Sequence, residues 1–204
     1  MRVSKEKAAA NRHDMLTAAA RLFREQGVSA TGVDAITKGA NLTHGAVYSQ
    51  FGSKEAVAAE AIRLAFQGSK RRWQRLVERK GGEKALAAIV AEYLSRTHRD
   101  AAGQGCVVAA HGSEIARQPR SVREAFTEEL KDGLAFLAGV MPGDDPAQRY
   151  KDVIAAFAGM ADALMLARAV NDDTLSEQIL HVTARRMIPQ TTVRAPARRR
   201  KGTR

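Results

Sequence analysis

The sequence predicts an all-α protein, and three observations carry that reading. Apolar residues recur at three- and four-residue spacing along almost the whole chain. No segment sustains period-two alternation, and no Asn-Gly or Asp-Gly pair joins two such runs into a hairpin. The strongest punctuation, Gly27, Gly81-Gly82, Gly103 to Gly105, Pro119 and Pro142-Gly143, falls between the periodic runs.

Taken in order, Met15, Leu16, Ala19, Leu22 and Phe23 form the apolar side of a first helix that stops at Gly27. Thr31 stands where it can cap a short second helix carrying Val33 and Ile36 and ending near Gly39. Thr43 stands likewise before a third, with Val47, Tyr48 and Phe51 on its apolar side, and Ser53 opens a long fourth over 54–79. Further helices are expected over 83–101, 106–117, 121–141, 147–170 and 175–188, about nine in all. The organisation that follows is a three-helix unit over 1–53, a larger helical body over 54–189, and a basic tail over 190–204 without apolar periodicity, expected to be disordered.

Composition narrows the function. The 204 residues are 45% hydrophobic and 27% charged, the balance of a globular chain. No run approaches the roughly 18 apolar residues of a membrane span, and the charged N-terminus has no apolar segment behind it, so a cytoplasmic protein is expected. One cysteine allows no internal disulfide and no cysteine-rich metal site. There is no nucleophile motif, no phosphate-binding glycine loop and no His-Glu-x-x-His run, so no enzyme, cofactor or metal is expected. The net charge of +11 is uneven: 15 basic against 7 acidic side chains in 1–80, 12 against 15 in 81–189, and 6 against none in 190–204. A basic first third suits a partner that is a polyanion. A membrane surface fits less well, because the cations do not lie opposite a broad apolar face. Lys70, Arg71, Arg72 and Arg75 read most simply as a solvated helix face, and the tail either as a solubility device or as a DNA-seeking arm.

Residues 31–51 carry the sharpest signal. Two short helices joined at Gly39-Ala40-Asn41-Leu42 make a helix-turn-helix, whose second helix can bring its first residues to base edges in a major groove. The short residues Thr43, His44, Gly45 and Ala46 allow close approach there. Tyr48 lies one turn on, within reach of a phosphate, and Lys54 opens the next helix as a cation beside free amides. Thr31 is a supporting candidate.

The string Leu16-x2-Ala19-Ala20-x-Leu22-Phe23-x-Glu25-x-Gly27, followed by Thr31, Val33, Ile36, Ala40, Gly45, Tyr48, Phe51 and Ser53-Lys54-Glu55, resembles the DNA-binding domain of the TetR/AcrR family of transcriptional regulators. Gly105-Cys106 with Ser113 to Arg117 looks like one subgroup of it. Thr37, Asn41 and Asp34 depart from the family's habit, and Asp34 has no evident phosphate partner.

The resemblance implies a repressor that binds palindromic half-sites of double-stranded DNA as a homodimer and is released by a small-molecule effector bound in the body. The lining would come from helices carrying Phe66, Trp73, Tyr93, Leu94, Cys106, Ala110, His111, Glu114, Phe126 and Met160. The small residues around Ala156, Phe157, Gly159, Met160, Ala163 and Leu164, with Leu175, Ile179 and Val182, form a two-helix face suited to self-pairing, the same residues serving otherwise as intrachain core. Two rival functions stand beside this one. Cys106 at a helix start could sense oxidants or electrophiles, although its flanking valines favour a buried, inert thiol. An architectural DNA binder would explain the charge but leave the acidic body without a role.

Overall fold

The structure is a computed structural model that describes residues 5–187; the basic tail over 190–204 lies outside the described residues. Ten α-helices and no strands are present among them. They are α1 Lys5–Gln26, α2 Val33–Gly39, α3 Gly45–Phe51, α4 Lys54–Lys80, α5 Gly82–Tyr93, α6 Arg96–Asp100, α7 Val107–Ile115, α8 Arg120–Val140, α9 Pro146–Ala169 and α10 Asp173–Met187. The single helix expected over 83–101 is two. The backbone leaves the helical region at Leu94 and Ser95, and the Ser95 hydroxyl caps the new start by accepting the His98 amide at 3.1 Å. A 3-10 turn, Ala102–Gln104, then leads into α7.

Two apolar clusters organise the molecule. The first joins α1, α2 and α3 through Met15, Phe23, Ile36 and Val47 to the first third of α4 at Val57 and Ile62. It does not close there, because Val107 and Ile115 of α7 and Val122 of α8 belong to the same cluster. The second is built from Trp73 and Leu76 of α4, Ile89 and Tyr93 of α5, Leu134 and Leu137 of α8, Phe157 and Leu164 of α9, and Leu180 of α10. Helix α4 therefore contributes its start to one core and its end to the other. Along its outer side it is tied to α8 by Arg63 with Glu128 at 3.1 Å and by Lys70 with Asp132 at 2.5 Å. Such exposed pairs contribute little each; the burial of the two cores is what fixes α4. No helix among the described residues is long and apolar enough to cross a membrane.

Candidate nucleic-acid interface and the joint behind it

Helices α2 and α3 meet across the turn 40–44. Asn41 sits at φ 56°, in the left-handed region that asparagine tolerates better than other side chains. The turn closes when the Leu42 amide donates to the Thr37 carbonyl at 2.8 Å. Val47 is fully buried beneath α3, so the opposite side of that short helix must face outward. Thr43, His44 and Gly45 are exposed there, and Tyr48 is 51% exposed although large and aromatic. A Cβ added at Gly45 would meet nothing within 4 Å, so that position is open to a partner. His44 and Tyr48 lie with ring centroids 5.6 Å apart, and the His44 Nδ1 is bonded to the Asp34 carboxylate of α2. Asp34 thus has a partner within the protein: it orients His44 on the exposed face.

Lys54 is positioned beside this face, but its ammonium already donates to the Ser29 carbonyl at 3.2 Å. The Ser53 hydroxyl caps α4 by accepting the Ala56 amide at 3.1 Å. Thr31 requires a correction. It is 1% exposed and its hydroxyl donates to the Gly27 carbonyl at 2.7 Å, so it holds the turn after α1 and offers nothing to DNA. The residue at the start of α2 is Gly32, not Thr31. Thr43 does not cap α3 with its side chain either; its carbonyl accepts the Ala46 amide at 2.9 Å.

The residues expected to line one ligand pocket separate into two places. Trp73, Tyr93, Leu94, Cys106 and Met160 are packed in the second core, where the narrow gap beside Trp73, Tyr93, His98 and Cys106 has a volume of only about 10 Å³. Phe66 and Phe126 stack edge-to-face at 5.5 Å against the first core, and His111 lines another gap of about 10 Å³ with Phe23, Ile62 and Val107. Ala110 is part-buried on α7 and belongs to neither cluster. Neither gap has room for more than about one water.

Glu114 is corrected from a pocket residue to a strap. Its carboxylate accepts the Val28 amide at 2.9 Å and the Ser29 amide at 2.6 Å, across 86 and 85 residues of chain. Gly27 at φ 93° brings the turn under that carboxylate, and a Cβ there would stand 3.1 Å from its oxygen. Burial would raise the Glu114 carboxyl, but the Ser29 and Val28 amides outweigh it and hold it below the ordinary range. A second strap runs from Arg24 of α1, whose guanidinium donates to the Gly103 carbonyl at 2.8 Å. These two long-range contacts have no local sequence signal.

The expected self-pairing face is also partly inverted. Phe157, Met160, Ala163 and Leu164 are buried inside the subunit, and a Cβ on Gly159 would meet the Met187 side chain of α10 at 2.8 Å. Ala156 and Ile179 are part-buried, Ile179 against the same core. Leu175 and Val182 are exposed, together with Met165 at the end of the small-residue stretch and with Ile154 and Leu166, which were not singled out in the sequence.

Around Cys106 the polar groups are ordered. His98 donates through Nδ1 to the Tyr93 carbonyl at 2.7 Å and accepts the Cys106 amide on Nε2 at 2.9 Å, an arrangement that requires the neutral ring. Burial, offset in part by the Tyr93 carbonyl and reinforced by Arg168 and Arg72, lowers the His98 pKa to about 4. The buried Tyr93 hydroxyl stands beside the Cys106 thiol, and burial, then Cys106, raise its pKa well above the ordinary range. No group of three metal-binding side chains occurs among the described residues.

Residues 15–61 match the family model described as bacterial regulatory proteins, tetR family. No curated protein matches the sequence. Among solved structures the chain is similar to a TetR-family regulator from Agrobacterium tumefaciens, at TM-score 0.73 and 18% identity over 88% of this chain and 98% of that one. It is similar to E. coli NemR in its reduced form, at TM-score 0.72 and 17% identity over 87% and 95%. FadR from Bacillus subtilis, solved in complex with stearoyl-CoA, gives TM-score 0.61 and 18% identity over 84% and 97%. At such identities the likeness to these structures is one of fold.

His111 generates a prediction. It is 2% exposed, neither ring nitrogen has a hydrogen-bond partner, and burial lowers its pKa to about 4, with Glu114 at 3.6 Å opposing and Arg24 reinforcing. The unfolded chain binds this proton near 6.5, so the folded state loses stability as pH falls from 6.5 toward 4 and keeps it fully above 6.5. His111→Leu is expected to flatten that acid limb in urea unfolding measured across the window, by a few kcal/mol at its foot; His98 retains a similar limb. An unchanged slope in the variant would assign the limb to other groups.

Proposed function

We propose that the chain, whose residues 15–61 match the family model of bacterial regulatory proteins, tetR family, is a sequence-specific repressor that binds double-stranded DNA as a homodimer. The observation that carries this reading is the outward face of α3, where His44, Gly45 and Tyr48 are exposed opposite the buried Val47. A tyrosine half exposed on the surface, with only the Asp-oriented His44 ring beside it, is placed for a partner outside the chain. Short side chains around them let the helix backbone enter a major groove, His44 reading a base edge and Tyr48 donating to a phosphate. Lys54 acts near the same phosphates while anchoring Ser29.

The dimer reading rests on the exposed apolar side chains of α9 and α10, Ile154, Met165, Leu166, Leu175 and Val182. Five large apolar groups on two adjacent helices need a cover, and a second copy supplies one with matching chemistry. Two reading heads would then meet half-sites about one helical turn, or a multiple, apart. Residues 1–53 serve as the head and 54–189 as the sensing and pairing body.

The effector reading is that a small molecule binds by opening the body, whose core is closed in this structure. Glu114 carries the consequence to the head, since α7 both borders the body core and holds Val28 and Ser29. A ligand that prefers the open body lowers DNA affinity by the same factor by which DNA lowers its own. A second reading is favoured by one observation: the buried Tyr93 hydroxyl beside the Cys106 thiol, a polar pair in an apolar core. Under it, modification of Cys106 by an electrophile or oxidant opens the body in place of a non-covalent ligand.

Three experiments test these readings. In gel-shift titrations with an operator fragment, Tyr48→Phe and Lys54→Ala are expected to weaken binding to all sequences, and His44→Ala to change base preference by roughly 1–3 kcal/mol; wild-type binding by all three would overturn the interface. Light scattering is expected to give twice the 22.1 kDa chain mass, and Met165→Glu with Val182→Glu to give the monomer. A thiol reagent is expected to react sluggishly with Cys106 and leave operator binding unchanged; release that Cys106→Ser abolishes would establish the thiol reading instead.

A further inference from the structure

A groove of about 360 Å³ runs between α1 and α4. Its walls are basic: His13 and Arg24 from α1, and Arg71, Arg72 and Arg75 from α4, with no acidic residue in the lining. The cations of α4 that face α8 are matched by carboxylates, Arg63 by Glu128 and Lys70 by Asp132. Those facing α1 are treated differently. Arg72 reaches the Gln104 carbonyl at 3.3 Å and Glu92 at 3.7 Å, and Arg24 is spent on the Gly103 carbonyl. Among the described residues Arg71 and Arg75 have no hydrogen bond or ion pair; Arg71 also borders the acidic rim of α8 but pairs with none of it. Burial lowers the Arg24 pKa to about 10, the neighbouring Arg72 adding to that effect against Cys106 and Glu25.

The floor has a second peculiarity. Gly68 stands in the interior of the 27-residue α4, where glycine weakens a helix. No neighbour requires it, since a Cβ added there would meet nothing within 4 Å. Its missing side chain keeps the groove open. DNA is not the occupant, because Arg71 lies about 25 Å of helix beyond Lys54 at ~1.5 Å per residue. The volume is that of a small-molecule site, and the two guanidinium groups of Arg71 and Arg75, which have no counter-charge, match a multiply charged anion.

We propose that the groove between α1 and α4 binds the diphosphate group of a small anionic metabolite, with Arg71 and Arg75 as its free ligands and Thr17 and Gln104 at its rim. The occupant bridges the first helix of the head to the connecting helix of the body. A diphosphate of this kind is carried by nucleotides and by coenzyme A alike.

Calorimetric titration of the full chain without DNA, at constant ionic strength, tests this with inorganic pyrophosphate, ATP and free coenzyme A, and with sulfate as the control. Pyrophosphate is expected to bind the wild type, and binding to fall about tenfold or more in Arg71→Ala with Arg75→Ala, as for lost charge-assisted contacts. Gly68→Met is expected to keep the fold, with a thermal midpoint no lower than wild type, and to lose binding because its side chain fills the groove. Tighter binding of ATP marks a nucleotide as the carrier, and tighter binding of coenzyme A marks that cofactor. The proposal is overturned if none of the three binds, if sulfate binds as well as pyrophosphate, or if binding survives in both variants. The measurement involves no operator, so its failure leaves the DNA reading intact, and failure of the DNA reading leaves this one intact.

Discussion

One carboxylate joins the two halves of the molecule. Glu114 sits at the end of α7 and receives two backbone amides from the turn after α1, across 86 and 85 residues of chain. Those amides lie in the turn beyond the end of α1, where no helical carbonyl receives them, so the turn takes its acceptor from elsewhere. Gly27 makes the geometry possible by adopting a positive φ and by having no side chain under the carboxylate. Lys54 then holds the Ser29 carbonyl from the other side. The orientation of the head is therefore fixed by polar contacts at one turn as well as by the shared apolar cluster through Val107, Ile115 and Val122.

That arrangement explains why His111 is unpaired. It lies on the same helix, one turn before Glu114, and its ring fills space between Phe23, Ile62 and Val107 where an apolar side chain would do. The carboxylate is 3.6 Å from Nδ1 but is already committed to the amides. Protonating the ring would draw Glu114 away from the turn, so acid acts on the same contact that couples head to body.

Much of this was legible in the sequence, and what was not has physical causes. Helix ends were readable where a local device sets them, as at Gly27, Ser53 and Gly81. The break at Leu94 and Ser95 was hidden, because neither residue is a strong breaker and the Ser95 cap uses an amide three residues on. The short helix α3 and its exposed side were legible from short-range spacing around Gly45 and Tyr48. The pocket was not, since Glu114, His111 and Cys106 share a helix neighbourhood but face different partners in three dimensions. Periodicity marks which side of α9 is apolar, yet both of its sides are: Phe157 and Leu164 point inward while Ile154 and Met165 point outward. Thr31 looked like a cap and proved to be a buried tie to Gly27, because its partner is a carbonyl four residues behind it and not an amide ahead.

The closed core of the body has a consequence for any regulation through it. The two gaps near Cys106 and His111 have room for about one water each, so a ligand of useful size must separate side chains that are now in contact. Its affinity is reduced by the cost of that opening, and whatever restores the opening elsewhere restores the affinity. Helix α7 borders both gaps through Val107, His111 and the adjoining Cys106, and through Glu114 it also holds the turn after α1. A displacement of α7 large enough to admit a ligand cannot leave Glu114 on the Val28 and Ser29 amides, because hydrogen bonds of 2.9 and 2.6 Å do not survive a shift of an ångström or more. Opening the body and loosening the head are then one event, and the energy that links them is the pair of amides that Glu114 gives up.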